Sequence, residues 1–306
     1  MSSFPILVCH NADGHRLRST FAVKSNPDLG HNLKQVRLRL GLCQQDPAAI
    51  APVWRPSPAP KSLSSTDIHL WRVNVEGCAK NLSFLASVLS PDEQARAAKF
   101  RQEGDRTRFI TCRGILRHLL SRYTSLAPSE ICFSYNVYGK PELATSGNIT
   151  PPLQFNLSHS GGLALYAFTL KDLIGVDLEQ HRPLDVLALA QSVFSEPERA
   201  VLNRLSATEQ LTQFLQIWTC KEAYLKAIGQ GLSGLERVEL AIAPNGSVCL
   251  APFATASSPH SPWLIQPLSL DDQFAAAFAV KAQTYNLHCY RIDSVQELMQ
   301  FLTLNP

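Results

Sequence analysis

Two short segments limit most strongly what this chain can fold into: Ile174-Gly175-Val176-Asp177-Leu178-Glu179 and, later, Trp218-Thr219-Cys220-Lys221-Glu222-Ala223-Tyr224-Leu225-Lys226. The first reads as a short buried strand. Side chains alternate across a strand, so Asp177 and Glu179 share one face about 6–7 Å apart, while Val176 and Leu178 turn toward a core. The second has helical spacing, which stacks Trp218, Glu222 and Lys226 on one stripe. A fold that brings the two together sets three carboxylates beside a lysine. Like charges that close need a compensating cation. An all-oxygen cluster suits Mg²⁺, so the expected chemistry is a Mg²⁺-assisted phosphoryl-type transfer. Taken singly, a D-x-E strand more often marks a sheet edge meeting water. A K-E-A-x-x-K helix is usually a solvated face whose Glu222–Lys226 pair contributes a few tenths of a kcal/mol. The combination gains meaning only from the rest of the chain.

Charged residues are 17% and hydrophobic residues 45% of the 306, so the chain should fold, as one large domain or two small ones. A net charge of +3 is too small to argue for nucleic-acid binding. The eight cysteines include no C-x-x-C and no zinc-like pairing with histidine. They read as small buried hydrophobes of a reducing compartment. No stretch approaches the roughly 20 apolar residues of a membrane span. A cytoplasmic protein without membrane or nucleic-acid partners is expected.

Residues 1–66 form a basic, Pro-rich N-terminal extension, read as a mobile appendage. Organised sequence begins near Asp67, with Ile68 to Val73 alternating as a strand. Ser90-Pro91-Asp92-Glu93 is a helix entry with a capping box. Asp105 caps a longer helix whose buried stripe is Phe109, Ile110, Leu116, Leu119 and Leu120. Its other faces carry Arg106, Arg108, Arg113, Arg117 and Arg122, and the 101–117 stretch is a candidate surface for an acidic partner helix. Strands follow at 131–135, 154–160 and 163–170. After the 174–179 strand, Ser195 with Glu198 repeats the capping box, and a long helix runs from Glu209 to Ile228, stopped by Gly229. The remainder is β-like, with an Asn245-Gly246 hairpin signal. The order strand–helices–strands thus occurs twice. The expected fold is α+β, built as two similar, pseudo-twofold halves at 67–173 and 174–285 with a tail at 286–306. The site is expected in the cleft between the halves.

The ordered series Gly139-Lys140-Pro141, Phe155-Asn156-Leu157-Ser158-His159-Ser160, Gly175-Val176-Asp177-Leu178-Glu179, Phe194-Ser195-x-x-Glu198 and Trp218-x-x-Lys221-Glu222-Ala223-x-x-Lys226 resembles the 4′-phosphopantetheinyl transferases. The likeness is to the larger monomeric class typified by the surfactin-synthetase activating enzyme. It implies transfer of the phosphopantetheine arm of coenzyme A to a serine of an apo acyl, peptidyl or aryl carrier protein, with release of 3′,5′-ADP, by a monomer. It implies Asp177, Glu179 and Glu222 as ligands of Mg²⁺, with Mn²⁺ as an alternative ion. Glu222 or a metal-bound water would take the serine proton, and Lys226 would meet phosphate. Lys140, Ser158 and His159 match positions for the coenzyme A 3′-phosphate and nearby groups, and Arg96 and Arg108 match nucleotide-phosphate positions. Glu93 departs from relatives that carry Lys there. Two other readings compete: a catalytically idle coenzyme A or carrier-binding module, and a Mg²⁺-dependent nucleotide phosphohydrolase.

Overall fold

The computed structural model describes residues 49–56, 62–144, 152–242, 248–251 and 263–303. Most of the expected N-terminal extension and the Asn245-Gly246 turn lie outside these. In chain order, the first half comprises β1 (Arg55–Pro56), β2 (Asp67–Asn74), α1 (Val75–Cys78), α2 (Leu82–Ser87), α3 (Pro91–Ala97), α4 (Glu103–Thr124), β3 (Phe133–Tyr135), β4 (Pro141–Leu143), β5 (Leu153–Ser160) and β6 (Leu163–Leu170). The second comprises β7 (Ile174–Gln180), α5 (Val186–Val193), α6 (Glu196–Leu202), α7 (Ala207–Ile228), β8 (Leu240–Ile242), β9 (Val248–Leu250), β10 (Leu264–Asp271) and β11 (Phe274–Val280). β12 (Asn286–Ile292) and α8 (Val295–Thr303) follow and return to the first half. The expected α+β class holds.

Two sheets pack face to face, each with one long helix on its outer side. The five-stranded sheet has the order β1-β12-β2-β6-β5, and the three-stranded sheet β10-β11-β7. Between them lie Ile68, Leu70, Leu165 and Ala167 of one and Val176, Leu178, Ala276 and Phe278 of the other. The opposite face of the larger sheet, including Trp71, Tyr166 and Phe168, packs under α4 with Ile115, Leu116 and Leu119. α7 covers the smaller sheet, setting Trp218, Ala223 and Ala227 against Ala275, Ala277 and Ala279. Alternation along β7 therefore does what its composition predicts. Val176 and Leu178 enter the layer between the sheets, and Gly175, Asp177 and Glu179 turn toward α7.

Residues 286–303, read in sequence as a tail, supply β12 and α8. β12 pairs in parallel with β2, from Asn286 opposite Asp67 to Ile292 opposite Val73. This satisfies backbone groups that an open edge of β2 would expose. α8 buries Leu298 and Phe301 in the first-half core, Phe301 against Trp71 at 5.2 Å. Arg55–Pro56 pairs in turn with β12, and Ile50 bridges to Leu268 of β10.

Helix entries follow the sequence signals closely. Ser90 with Glu93, Ser195 with Glu198, and Ser206 with Glu209 all form capping boxes. α4 begins two residues before Asp105, which sits in its first turn and pairs with Arg108 at 2.9 Å instead of capping the helix. α7 ends at Gly229, whose φ of 71° is left-handed and costs glycine little.

One sequence expectation is corrected. Arg113 and Arg117 are not on a solvated or partner-facing side of α4: they are 2% and 1% exposed. Both meet Glu93, at 3.4 and 2.7 Å, and Arg117 also donates to the carbonyls of Pro128 and Ile131. Buried guanidinium groups require such a partner, and Glu93 is theirs. The acidic residue at that position is thus an internal counter-ion.

Candidate active site

The β7–α7 contact begins with Gly175. A Cβ there would stand 2.0 Å from the carbonyl oxygen of Ala223 and 2.4 Å from the nitrogen of Ala227. Only glycine lets the helix lie this close to the strand, and the small Ala223 and Ala227 complete the fit. The close approach puts Glu222 and Lys226, on the same stripe of α7, over Asp177 and Glu179.

Lys226 Nζ donates to Asp177 Oδ1 at 2.6 Å and to Ser158 Oγ at 2.9 Å; Ser158 Oγ also donates to Asp177 Oδ1 at 2.9 Å. Ser160 Oγ donates to Glu179 Oε2 at 3.1 Å and accepts from the backbone N–H of Gln180. Asn156 Oδ1 accepts from the N–H of Val176 at 2.9 Å. Asn156, Ser158 and Ser160 thus form one face of β5 that stitches the edges of the two sheets together through side chains. Sequence reasoning singled out Ser158 and passed over the other two, although their i, i+2, i+4 spacing on a predicted strand was the available signal. Arg182, close enough to Glu179 to act on its charge, was also missed.

The carboxylates are not free to ionise together. Burial first, then the charge of Asp177, pushes Glu179 up to about 8, with Lys226 opposing. Burial and Asp177 likewise push Glu222 up to about 8, and Glu179 adds to it. Asp177 Oδ2 and Glu222 Oε1 are buried without a hydrogen-bond partner. Such orphaned acceptors cost about 1–3 kcal/mol each. A hard divalent cation would satisfy both, so the donor set suits Mg²⁺. It does not form a closed cage as it stands: among the described residues, the three-ligand group with all its atoms within 4.8 Å of one another is Asp67, His69 and His288. Mg²⁺ bonds of about 2.1 Å bring ligands to within roughly 4.2 Å. Joint ligation by Asp177, Glu179 and Glu222 therefore requires side-chain rotation, with Lys226 serving as counter-ion until then.

The other candidates divide into two groups. Lys140 Nζ donates to the carbonyl of Ala227 at 2.8 Å, and Asn136 Nδ2 to that of Gly229, so the β3–β4 hairpin docks on the C-terminus of α7 beside Lys226. Burial lowers Lys140 to about 8. His159 continues the β5 face of Phe155 and Leu157, which packs on the α4 side, opposite the Ser158 face. The Arg96 guanidinium lies over the Phe109 ring at 5.3 Å, and Arg108 pairs with Asp105. Lys221 is no site residue: it is 1% exposed and bonds Glu198 Oε2 at 2.7 Å, tying α6 to α7. Trp218 packs against Phe214, as expected of a residue behind the site.

Comparison with known proteins gives two family matches. Residues 173–279 match the 4′-phosphopantetheinyl transferase superfamily, and residues 75–170 match the 4′-phosphopantetheinyl transferase N-terminal family. The chain is 40% identical to the 4′-phosphopantetheinyl transferase HetI of Nostoc sp. PCC 7120, covering 74% of this chain and 93% of that protein. It is 30% identical to the 4′-phosphopantetheinyl transferase Sfp of Bacillus subtilis strain 168, covering 62% and 81%. It is 28% identical to the 4′-phosphopantetheinyl transferase psf-1 of Bacillus pumilus, covering 70% and 88%.

Proposed function

The chain belongs to the 4′-phosphopantetheinyl transferase superfamily, and from that premise we propose how its residues carry out the transfer. It is a transferase that moves the 4′-phosphopantetheine arm of coenzyme A to a serine of an apo carrier protein. The serine Oγ–P bond forms, the bond from that phosphorus to the leaving 3′,5′-ADP breaks, and the serine proton passes to a base.

Asp177, Glu179 and Glu222 would hold Mg²⁺ or Mn²⁺, which when bound would neutralise charge on the attacked phosphate and its leaving group. The observation that carries this reading is the pair of partnerless buried oxygens, Asp177 Oδ2 and Glu222 Oε1, beside a lysine. Glu222, whose carboxyl burial and its acidic neighbours raise in the absence of an ion, or a metal-bound water would take the serine proton. Lys226, now shared between Asp177 and Ser158, supplies a mobile point charge for phosphate. Lys140, Ser158 and His159 are assigned to the coenzyme A 3′-phosphate and nearby groups, and Arg96 and Arg108 to the nucleotide phosphates. The protein acts as a monomer in the cytoplasm. Its buried free thiols Cys78, Cys112 and Cys220 are compatible with a reducing compartment. Among the described residues no helix is long and apolar enough to cross a membrane.

The test is intact mass of a panel of acyl, peptidyl and aryl carriers after incubation with the protein, coenzyme A and Mg²⁺. One phosphopantetheine adduct on at least one carrier, absent with Asp177→Ala, is expected. A folded protein that modifies no carrier would overturn the reading, since an idle binding module adds no mass to denatured carrier.

A further inference from the structure

The parallel pairing of β12 with β2 has a chemical consequence far from α7. His288 is the register partner of His69, and Asp67 lies two residues before His69 on the same face of β2. Asp67 Oδ1 is 3.6 Å from His288 Nε2, and the two imidazole rings meet edge to face at 5.3 Å. One ligand atom from each of the three lies within 4.8 Å of the other two. We propose that Asp67, His69 and His288 form a second metal site, separate from the β7–α7 carboxylates, which takes a Zn²⁺-class transition ion and clips β12 to β2.

The donor set selects the ion. Two imidazoles and one carboxylate suit Zn²⁺ and its neighbours, whereas Mg²⁺ prefers oxygen alone. Tetrahedral bonds of 2.0–2.1 Å separate ligands by about 3.4 Å, close to the Asp67–His288 spacing. The ligands are held from behind, as metal-binding groups generally are. His69 Nδ1 is 2.9 Å from the Tyr123 hydroxyl, which accepts from Trp71 Nε1 at 3.0 Å. With Nδ1 so engaged, Nε2 is the His69 nitrogen assigned to the ion. Asp67 accepts from the N–H of Ser64 at 3.0 Å and from Asn286 Nδ2 at 3.2 Å. Both bonds are donated to the Asp67 carboxyl and so favour its ionised, metal-binding form. His69 is fully buried, while the His288 and Asp67 side chains are 25% and 11% exposed. The group is therefore open on one side, where an ion enters and a water completes the coordination.

The test uses the full-length protein stripped with chelator and titrated with Co²⁺ in excess Mg²⁺, which saturates oxygen-only sites. Tetrahedral Co²⁺ with nitrogen ligands absorbs visible light strongly, and octahedral Co²⁺ among oxygens only weakly. One equivalent of strongly absorbing Co²⁺, displaced by Zn²⁺, is expected. His288→Asn and Asp67→Asn should each weaken binding at least tenfold, with His288→Asn transferring phosphopantetheine within twofold of wild type. Glu222→Gln should keep the absorption. Absence of the strong band, or its survival in both His288→Asn and Asp67→Asn, would overturn the proposal. So would its loss in Glu222→Gln with retention in His288→Asn, which assigns the ion to the carboxylates.

Discussion

The two halves of the molecule use one scaffold for different ends. α4 and α7 each span 22 residues, and each is preceded by a short helix entered through a Ser–Glu capping box. In each case the box glutamate is buried and paired with the fifteenth residue of the long helix, Glu93 with Arg117 and Glu198 with Lys221, both at 2.7 Å. The next residue, and the one four further on, then diverge. In α4 they are His118, stacked on Phe84, and Arg122, which donates to the carbonyl of Phe301. In α7 they are Glu222 and Lys226. Under α4 the strand offers Trp71; under α7 it offers Asp177. The shared ion pair ties each long helix to the short helix before it, and only the half whose strand abuts the hydroxyl face of β5 gathers three carboxylates and a lysine beneath the helix. Architecture and chemistry are therefore separable here.

The comparison breaks most easily at the sixteenth helix position. Glu222→Gln should lower kcat by about 10²–10⁴-fold, the range for losing a catalytic base or charge-stabilising group. His118→Gln should leave turnover per folded molecule within twofold, measured by carrier mass shift over time. Next come the twin counter-ions. Glu93→Gln strands two buried guanidinium groups and Glu198→Gln one buried ammonium, and each should cost at least about 3–5 kcal/mol in urea denaturation; a cost under about 1 kcal/mol in one half alone would end the claim of a common device. Smaller effects separate two glycines. A Cβ at Gly175 meets the backbone of α7 at 2.0 Å, and one at Gly114 of α4 meets the backbone of Leu85 at 2.7 Å. Both alanine variants should lose about 1–3 kcal/mol by overpacking, but only Gly175→Ala should also lower kcat.

The last difference is one of sign in pH dependence. In metal-free protein, Glu179 and Glu222 are raised to about 8, so the folded state keeps protons that the unfolded chain has released. Their contribution is full below about pH 4.5 and declines as pH rises toward 8, by at most about 1.4 kcal/mol per pH unit per proton. His118 is lowered to about 4 by burial and by Arg122, so its contribution is full above about 6.5 and is lost as pH falls toward 4. Urea titrations from pH 4 to 9 should show Glu222→Gln flattening the upper limb and His118→Gln the lower.

Local physics determined much of this in advance. Period-2 alternation at 174–179 and helical spacing at 218–226 required both carboxylates of β7 on one face and Glu222 with Lys226 on another. Capping boxes and Gly229 set helix ends because those signals act within a few residues. The order of elements gave the repeated α+β plan, and Asp177, Lys226 and Ser158 do meet. Tertiary structure alone decided what depends on partners distant in sequence. Nothing local distinguishes Arg113 and Arg117 from solvated arginines, since their burial rests on Glu93 in another helix. Nothing near Asn286 announces a strand beside β2, because parallel pairing is settled by which edge lies open. The Asp67–His69–His288 group exists only through that pairing: burial and backbone hydrogen bonding choose neighbours across the chain, and a sequence records each residue without its neighbour.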